Sequence, residues 1–222
     1  MKPFWRTSVR YLTTAGLATL LPVGAALNAQ QAAPRTPNSQ AFCDSATSRV
    51  TARSVTLVAA APAIASCAAE TASLLPEYWR TAAADSAELN ALIDLSKRVR
   101  DRRLLSEVRS LALARGKPYA VRGAALIVLA NYIYPTLSGS VHTNKKTGEL
   151  TISIGMQSHA SQVDGPEPLG EAEYAEIGRV VKLLAEEKGP TEIDGWAKYV
   201  REMTRLACQR PQAVVSVRSC PQ

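Results

Sequence analysis

Only two histidines occur in the chain, His142 and His159, and both lie between Pro135 and Gly170 with Asp164 and Glu167 close behind. Imidazole and carboxylate together suit a divalent metal. Their spacing does not support one, because no two of them stand at a tight, repeated interval. Ser158 and Ser161 flank His159, which supplies a hydroxyl and a base. A nucleophile activated in that way also needs a group to orient the base, and no positioned acid completes the set. The chain contains no H-E-x-x-H, G-x-S-x-G, G-x-G-x-x-G or phosphate-binding loop. No catalytic, cofactor-binding or metal-binding residue is therefore assigned. The carboxylates Glu171, Glu173, Glu176, Glu186 and Glu187 read as solvated helix faces. Two function classes follow: a non-catalytic helical protein that binds another protein or, as the alternative, an exported hydrolase or metal-dependent enzyme with its site in residues 135–169.

The four cysteines, Cys43, Cys67, Cys208 and Cys220, carry the other chemistry. An even number in an exported chain reads as disulfides, with three possible connectivities. Without a C-x-x-C spacing or a nearby histidine, they do not read as zinc ligands. Local pairing, Cys43 with Cys67 and Cys208 with Cys220, is preferred. The first pair poses a geometric problem. A single helix over 44–60 turning at Pro62 would leave Cys43 about 25 Å from the turn, whereas a disulfide needs Cα atoms within about 7 Å. Either the helix starts near Ser48 and "CDSATS" folds back, or Cys43 pairs with the C-terminal region.

Export is read from the first 29 residues. Lys2, Arg6 and Arg10 precede the uncharged run "YLTTAGLATLLPVGAALNA", and Ala26 or Ala29 offers a small residue for cleavage. That is the layout of a secretory signal peptide. Pro22, Gly24 and the Thr and Ala residues make a retained membrane anchor the weaker reading. The mature chain is expected to be soluble, with no membrane span, and secreted or periplasmic. The formal net charge of +7 falls to +4 once those three residues are removed. The remaining charges are interspersed, which gives nucleic-acid binding no support. Residues 30–42 read as a flexible leader, and 43–222 as a single helical domain.

The elements that must position these residues are mostly helices. Asp85 with Glu88 three residues on is a capping box, followed by Leu89, Leu92, Ser96 and Val99 on one face. Leu104, Val108, Leu111 and Arg115 continue at helical spacing, with "KRVRDRR" as either a break or a solvated turn. Tyr174, Ile177, Val181 and Leu184 form one core-facing stripe, and Trp196, Val200, Met203 and Ala207 another. Pro62, Pro118 and Pro190 each fall between two helical stretches and are expected to open the second, giving second helices at about 62–75, 118–134 and 190–208. Residues 135–169 interrupt the pattern. "ELTISIG" alternates as a strand does, "TNKKTGE" reads as a turn, and "SGSVH" supplies the partner strand. The remainder, to Gly170, reads as an exposed loop.

The stretch "AVRGAALIVLANYI", with Val121, Arg122, Ala124, Ala125, Val128 and Leu129, resembles the second helix of a HEAT repeat. "DRRLLSEVRSLALARGKP" before it resembles the first helix and turn. The resemblance lies mainly in residues 101–134. It implies an all-α fold of short antiparallel helix pairs in a HEAT-like array, here with a small hairpin and loop insert. It also implies a structural role for Arg122, paired with Asp94 or Asp101, and for Pro118 at the turn. Leu126 and Ile127 make this helix apolar nearly all round. A helix of that kind is expected in the middle of a compact body rather than along an open solenoid.

Overall fold

Two aspartates set where the central helices begin. Asp85 accepts a hydrogen bond from the Glu88 N–H at 2.8 Å and starts the helix α5, Ser86–Ser96. Asp101 accepts from the Arg103 and Leu104 N–H groups and starts α6, Arg102–Leu113. Each satisfies donors that the first turn of a helix cannot satisfy itself. "KRVRDRR" is thus a break, and residues 86–115 form two helices. Burial, and then the Asp85 carboxylate beside it, raise the Glu88 carboxyl above its ordinary value.

The protein is described here by a computed structural model, in residues 37–52, 54–163 and 168–186. Before α5 come α1 (Pro37–Thr51), α2 (Leu57–Ile64), a 3-10 turn (Ala65–Cys67), α3 (Ala68–Thr71) and α4 (Leu75–Thr81). After α6 come α7 (Tyr119–Ile133), the strands β1 (Leu137–Thr143) and β2 (Leu150–Met156), and α8 (Glu171–Glu186). The described residues are mostly helical, with one two-stranded antiparallel sheet.

The α7 helix is the centre. From Ala120 through Tyr132, thirteen consecutive residues are buried. α5, α6, α8 and both strands pack around it. The hairpin packs directly on α7 through both strands. Its fit depends on two glycines. A Cβ on Gly123 would collide with Ile152 Cδ1, and one on Gly139 would lie 2.7 Å from Ile127 Cδ1 and 2.8 Å from the Ser153 carbonyl. The tight turn between the strands uses Asn144, whose side chain accepts from Lys146 N–H at 2.9 Å, and Gly148 at φ +72°. That left-handed conformation favours glycine.

Several expectations are corrected. Pro62 lies inside α2 rather than opening a helix. Thr56 starts α2 earlier, its hydroxyl accepting from Ala59 N–H at 3.2 Å, and residues 57–81 form short segments instead of one long second helix. Residues 37–42 of the expected leader belong to α1. The segment after β2 is largely exposed, as expected, and is anchored at Ser161. Ser161 N–H donates to the Pro135 carbonyl at 2.7 Å, and its hydroxyl accepts from buried Asn131 at 3.0 Å. The expected signal peptide, Cys208, Cys220, Pro190, Trp196, Asp164 and Glu167 lie outside the described residues.

Candidate functional site

Among the described residues, the two histidines are set apart by the fold. His142 stands near the turn end of β1, opposite Thr151, whereas Leu137 pairs with Met156 at the other end. Five residues of strand separate the two ends, roughly 16 Å. His159 follows Met156 and is exposed, as is His142. The two rings therefore serve different ends of the hairpin. Among the described residues, no three metal-ligating side chains form a group. The Ser140 hydroxyl lies 2.8 Å from His142 Nε2. The two are neighbours on one strand face because side chains repeat every second residue.

The disulfide Cys43–Cys67 is formed, with Cα atoms 5.4 Å apart. Neither of the two routes considered from sequence is the one taken. α1 includes Cys43 and ends at Thr51, and α2 starts at Leu57, well before Pro62. α2 then runs beside α1 and returns Cys67 to Cys43. Both cysteines are buried.

Arg122 is buried, and its Nε donates to the Ala112 carbonyl at 3.0 Å. That carbonyl is in the last turn of α6, where the helix offers no partner and a cation is favoured. Asp94 lies 2.8 Å from Lys97, and Asp101 caps α6. Pro118 is the N-cap residue of α7, one position before the helix proper.

A concave site does exist, between α2, α5 and the segment after β2. It encloses about 670 Å³. Its floor is small and apolar: Val58, Ala61, Pro62, Ala65, Ala87, Ala91 and Leu95. Small side chains on two facing helices leave the space open. Its rim is polar, with Asn90, Asp94, Lys97, Arg98, Gln157, Ser161 and Gln162. Lys97 is almost fully buried, its Nζ 2.8 Å from Asp94 and 3.0 Å from the Ser138 hydroxyl. Arg98 donates to the Ala65 carbonyl at 3.0 Å and ties the wall to α2. This arrangement can hold apolar side chains against a polar rim. It offers no paired nucleophile and base.

Sequence reasoning did not find this groove. Its alanines read as helix formers, and only the packing of α2 on α5 makes them a floor. No protein-family model, no curated protein and no solved structure matches the chain. No helix of the described residues is long and apolar enough to cross a membrane.

Proposed function

We propose that the chain is an exported, non-catalytic helical module that binds another protein, and that the α2–α5 groove receives an apolar segment of it. The groove itself carries this reading: an apolar centre with a polar rim is the anatomy of a protein-binding patch. Export is supported by the buried Cys43–Cys67 bridge, since disulfides persist in oxidising compartments, and by the basic-then-apolar start of the sequence. The α6–α7 pair is proposed as one HEAT-like unit, supported by its capped first helix, its short turn at Pro118 and the tie from Arg122. The hairpin on α7 makes it a closed unit rather than one step of a solenoid.

A photo-crosslinking residue at Ala87, in the groove, should capture a partner in the envelope or secreted fraction, and the same residue at exposed Ser106 on α6 should not. Val58→Arg in the groove should abolish the Ala87 adduct while leaving the melting temperature within a few degrees. Equal capture from both positions, or none from Ala87, rejects the groove.

The hydrolase reading has one observation in its favour, the contact between Ser140 and His142. If it held, Ser140→Ala would abolish a hydrolytic activity and leave the Ala87 adduct intact.

A further inference from the structure

The two edges of the hairpin are treated differently. Helix α5 covers the outer edge of β1. The Val141 N–H donates to Asn90 Oδ1 at 2.8 Å, and Asn90 Nδ2 donates to the Val141 carbonyl at 2.8 Å. The Ser86 hydroxyl meets that of Thr143 at 2.8 Å, and Lys97 reaches Ser138. Asn90 thereby acts as a missing strand. Because Val141 spends both backbone groups outward, its cross-strand partner Ile152 does the same. By the two-residue period, Leu150, Ile152, Ile154 and Met156 aim their N–H and C=O groups at the outer edge of β2. No helix covers that edge among the described residues. The strand "LTISIGM" carries no charge and no proline, the devices that usually block pairing at such an edge.

We propose that this edge pairs with the same edge of a second copy, giving a four-stranded antiparallel sheet about a two-fold axis. This inference stands apart from the groove and does not rest on it. One register uses all four outward positions: Ile152 opposite Ile154 of the second copy, Leu150 opposite Met156, and Ser153 opposite itself. It also matches a knob to a hole. Met156 is a large apolar side chain left 44% exposed. It has the same parity as Leu150 and Ile152, so it lies on the same face of the sheet. Beside those two residues is a hollow of about 440 Å³, walled by Pro118, Tyr119 and Ala120 of the α7 start. In this register each Met156 sits over the hollow of the other copy, and a two-fold axis fills both at once. Methionine adapts to such a space. The charges agree with the pairing. Lys145 and Lys146, in the turns, go to opposite ends of the joined sheet, and Glu149 faces the uncharged Gln157. A pair of seven-residue edges is smaller than the roughly 1,200–2,000 Å² of a standard interface, so the association is weak and concentration-dependent.

Sedimentation of the purified chain over a concentration series tests this. The average mass should rise toward twice the monomer, and Met156→Lys should hold it at the monomer with an unchanged melt, since Met156 is exposed. Ser153→Cys, placed at the axis where the strands come closest, should give an oxidised dimer that the wild type lacks, and Thr151→Cys, opposite Gly155, should not. A wild type that stays monomeric at millimolar concentration overturns the proposal. So does a dimer that Met156→Lys does not affect, or one that Ser153→Cys fails to lock. A monomer whose β2 amide signals move on adding an extended apolar peptide would assign the edge to a different partner and equally overturn it.

Discussion

Helices α7 and α8 are nearly the same length and are held in place by different physics. α7 is apolar nearly all round, with Arg122 and Asn131 as its buried polar residues, and is packed by α5, α6, α8 and the hairpin. α8 is amphipathic. Tyr174, Ile177, Val181 and Leu184 are buried on one side, and Leu183 is 57% exposed on the other. Ion pairs reinforce its attachment to α6: Arg102 with Glu173 at 3.1 Å and Arg109 with Glu176 at 3.2 Å. Such exposed pairs contribute little and weaken with salt. α7 thus depends mainly on shape and burial, which salt does not screen. The attachment of α8 retains a part that pH and salt can remove.

The same chemical change on the two helices is the strongest way to break this contrast. Leu129→Ala in α7 removes a fully buried side chain and should cost about 2–5 kcal/mol. Leu183→Ala in α8 should stay within about 0.5 kcal/mol, as surface changes usually do. Denaturant melts of the two variants measure both. Equal losses would mean that a second surface covers α8.

A smaller effect is expected in alkali. The Tyr132 hydroxyl, at the end of α7, is fully buried, and burial raises its pKa well above the ordinary value despite the Arg100 guanidinium 4.1 Å over the ring. A raised folded-state pKa stabilises below the unfolded value, near about 10 for tyrosine, and that stability is lost as pH rises further. The wild type should therefore lose stability above about pH 10, and Tyr132→Phe should lose less of it. Melts from pH 8 to 11 would show the curves diverging; parallel curves would remove Tyr132 from the account.

The smallest effect belongs to the start of α8. Glu173 accepts from Gly170 N–H at 2.9 Å. That bond, the Glu173 backbone N–H and then the Arg102 guanidinium hold its carboxyl below the usual value. A depressed folded-state pKa stabilises above the unfolded value and ceases to do so as pH falls through the folded one. Protection against amide exchange at the first turn of α8, taken relative to the intrinsic rate at each pH, should fall in acid, and Glu173→Gln should flatten that dependence without moving protection in α7. If both helices respond together, α8 is not a separately governed element.

Local sequence determined much of this protein. Asp85 with Glu88 fixed the start of α5, because a side-chain acceptor must meet the first donors wherever the chain turns helical. The stripe from Tyr174 to Leu184 marked the buried face of α8, and the alternation of Leu150, Ile152 and Ile154 marked a strand. Even the central place of α7 was readable from Leu126 and Ile127, since a helix without a polar face must be covered on all sides. What covers it was not readable. That the hairpin fills the last side depends on the absence of a Cβ at Gly123 and Gly139, a matter of contact between distant segments. Pro62 misled because a proline reads as a helix start, while the capping by Thr56 and the early turn of α1 onto α2 placed it within one. The same turn decided the Cys43–Cys67 bridge. The groove floor and the role of Asn90 were likewise settled only in three dimensions. Alanine and asparagine carry no pattern of their own, and they acquire a role only from whatever the tertiary structure sets opposite them.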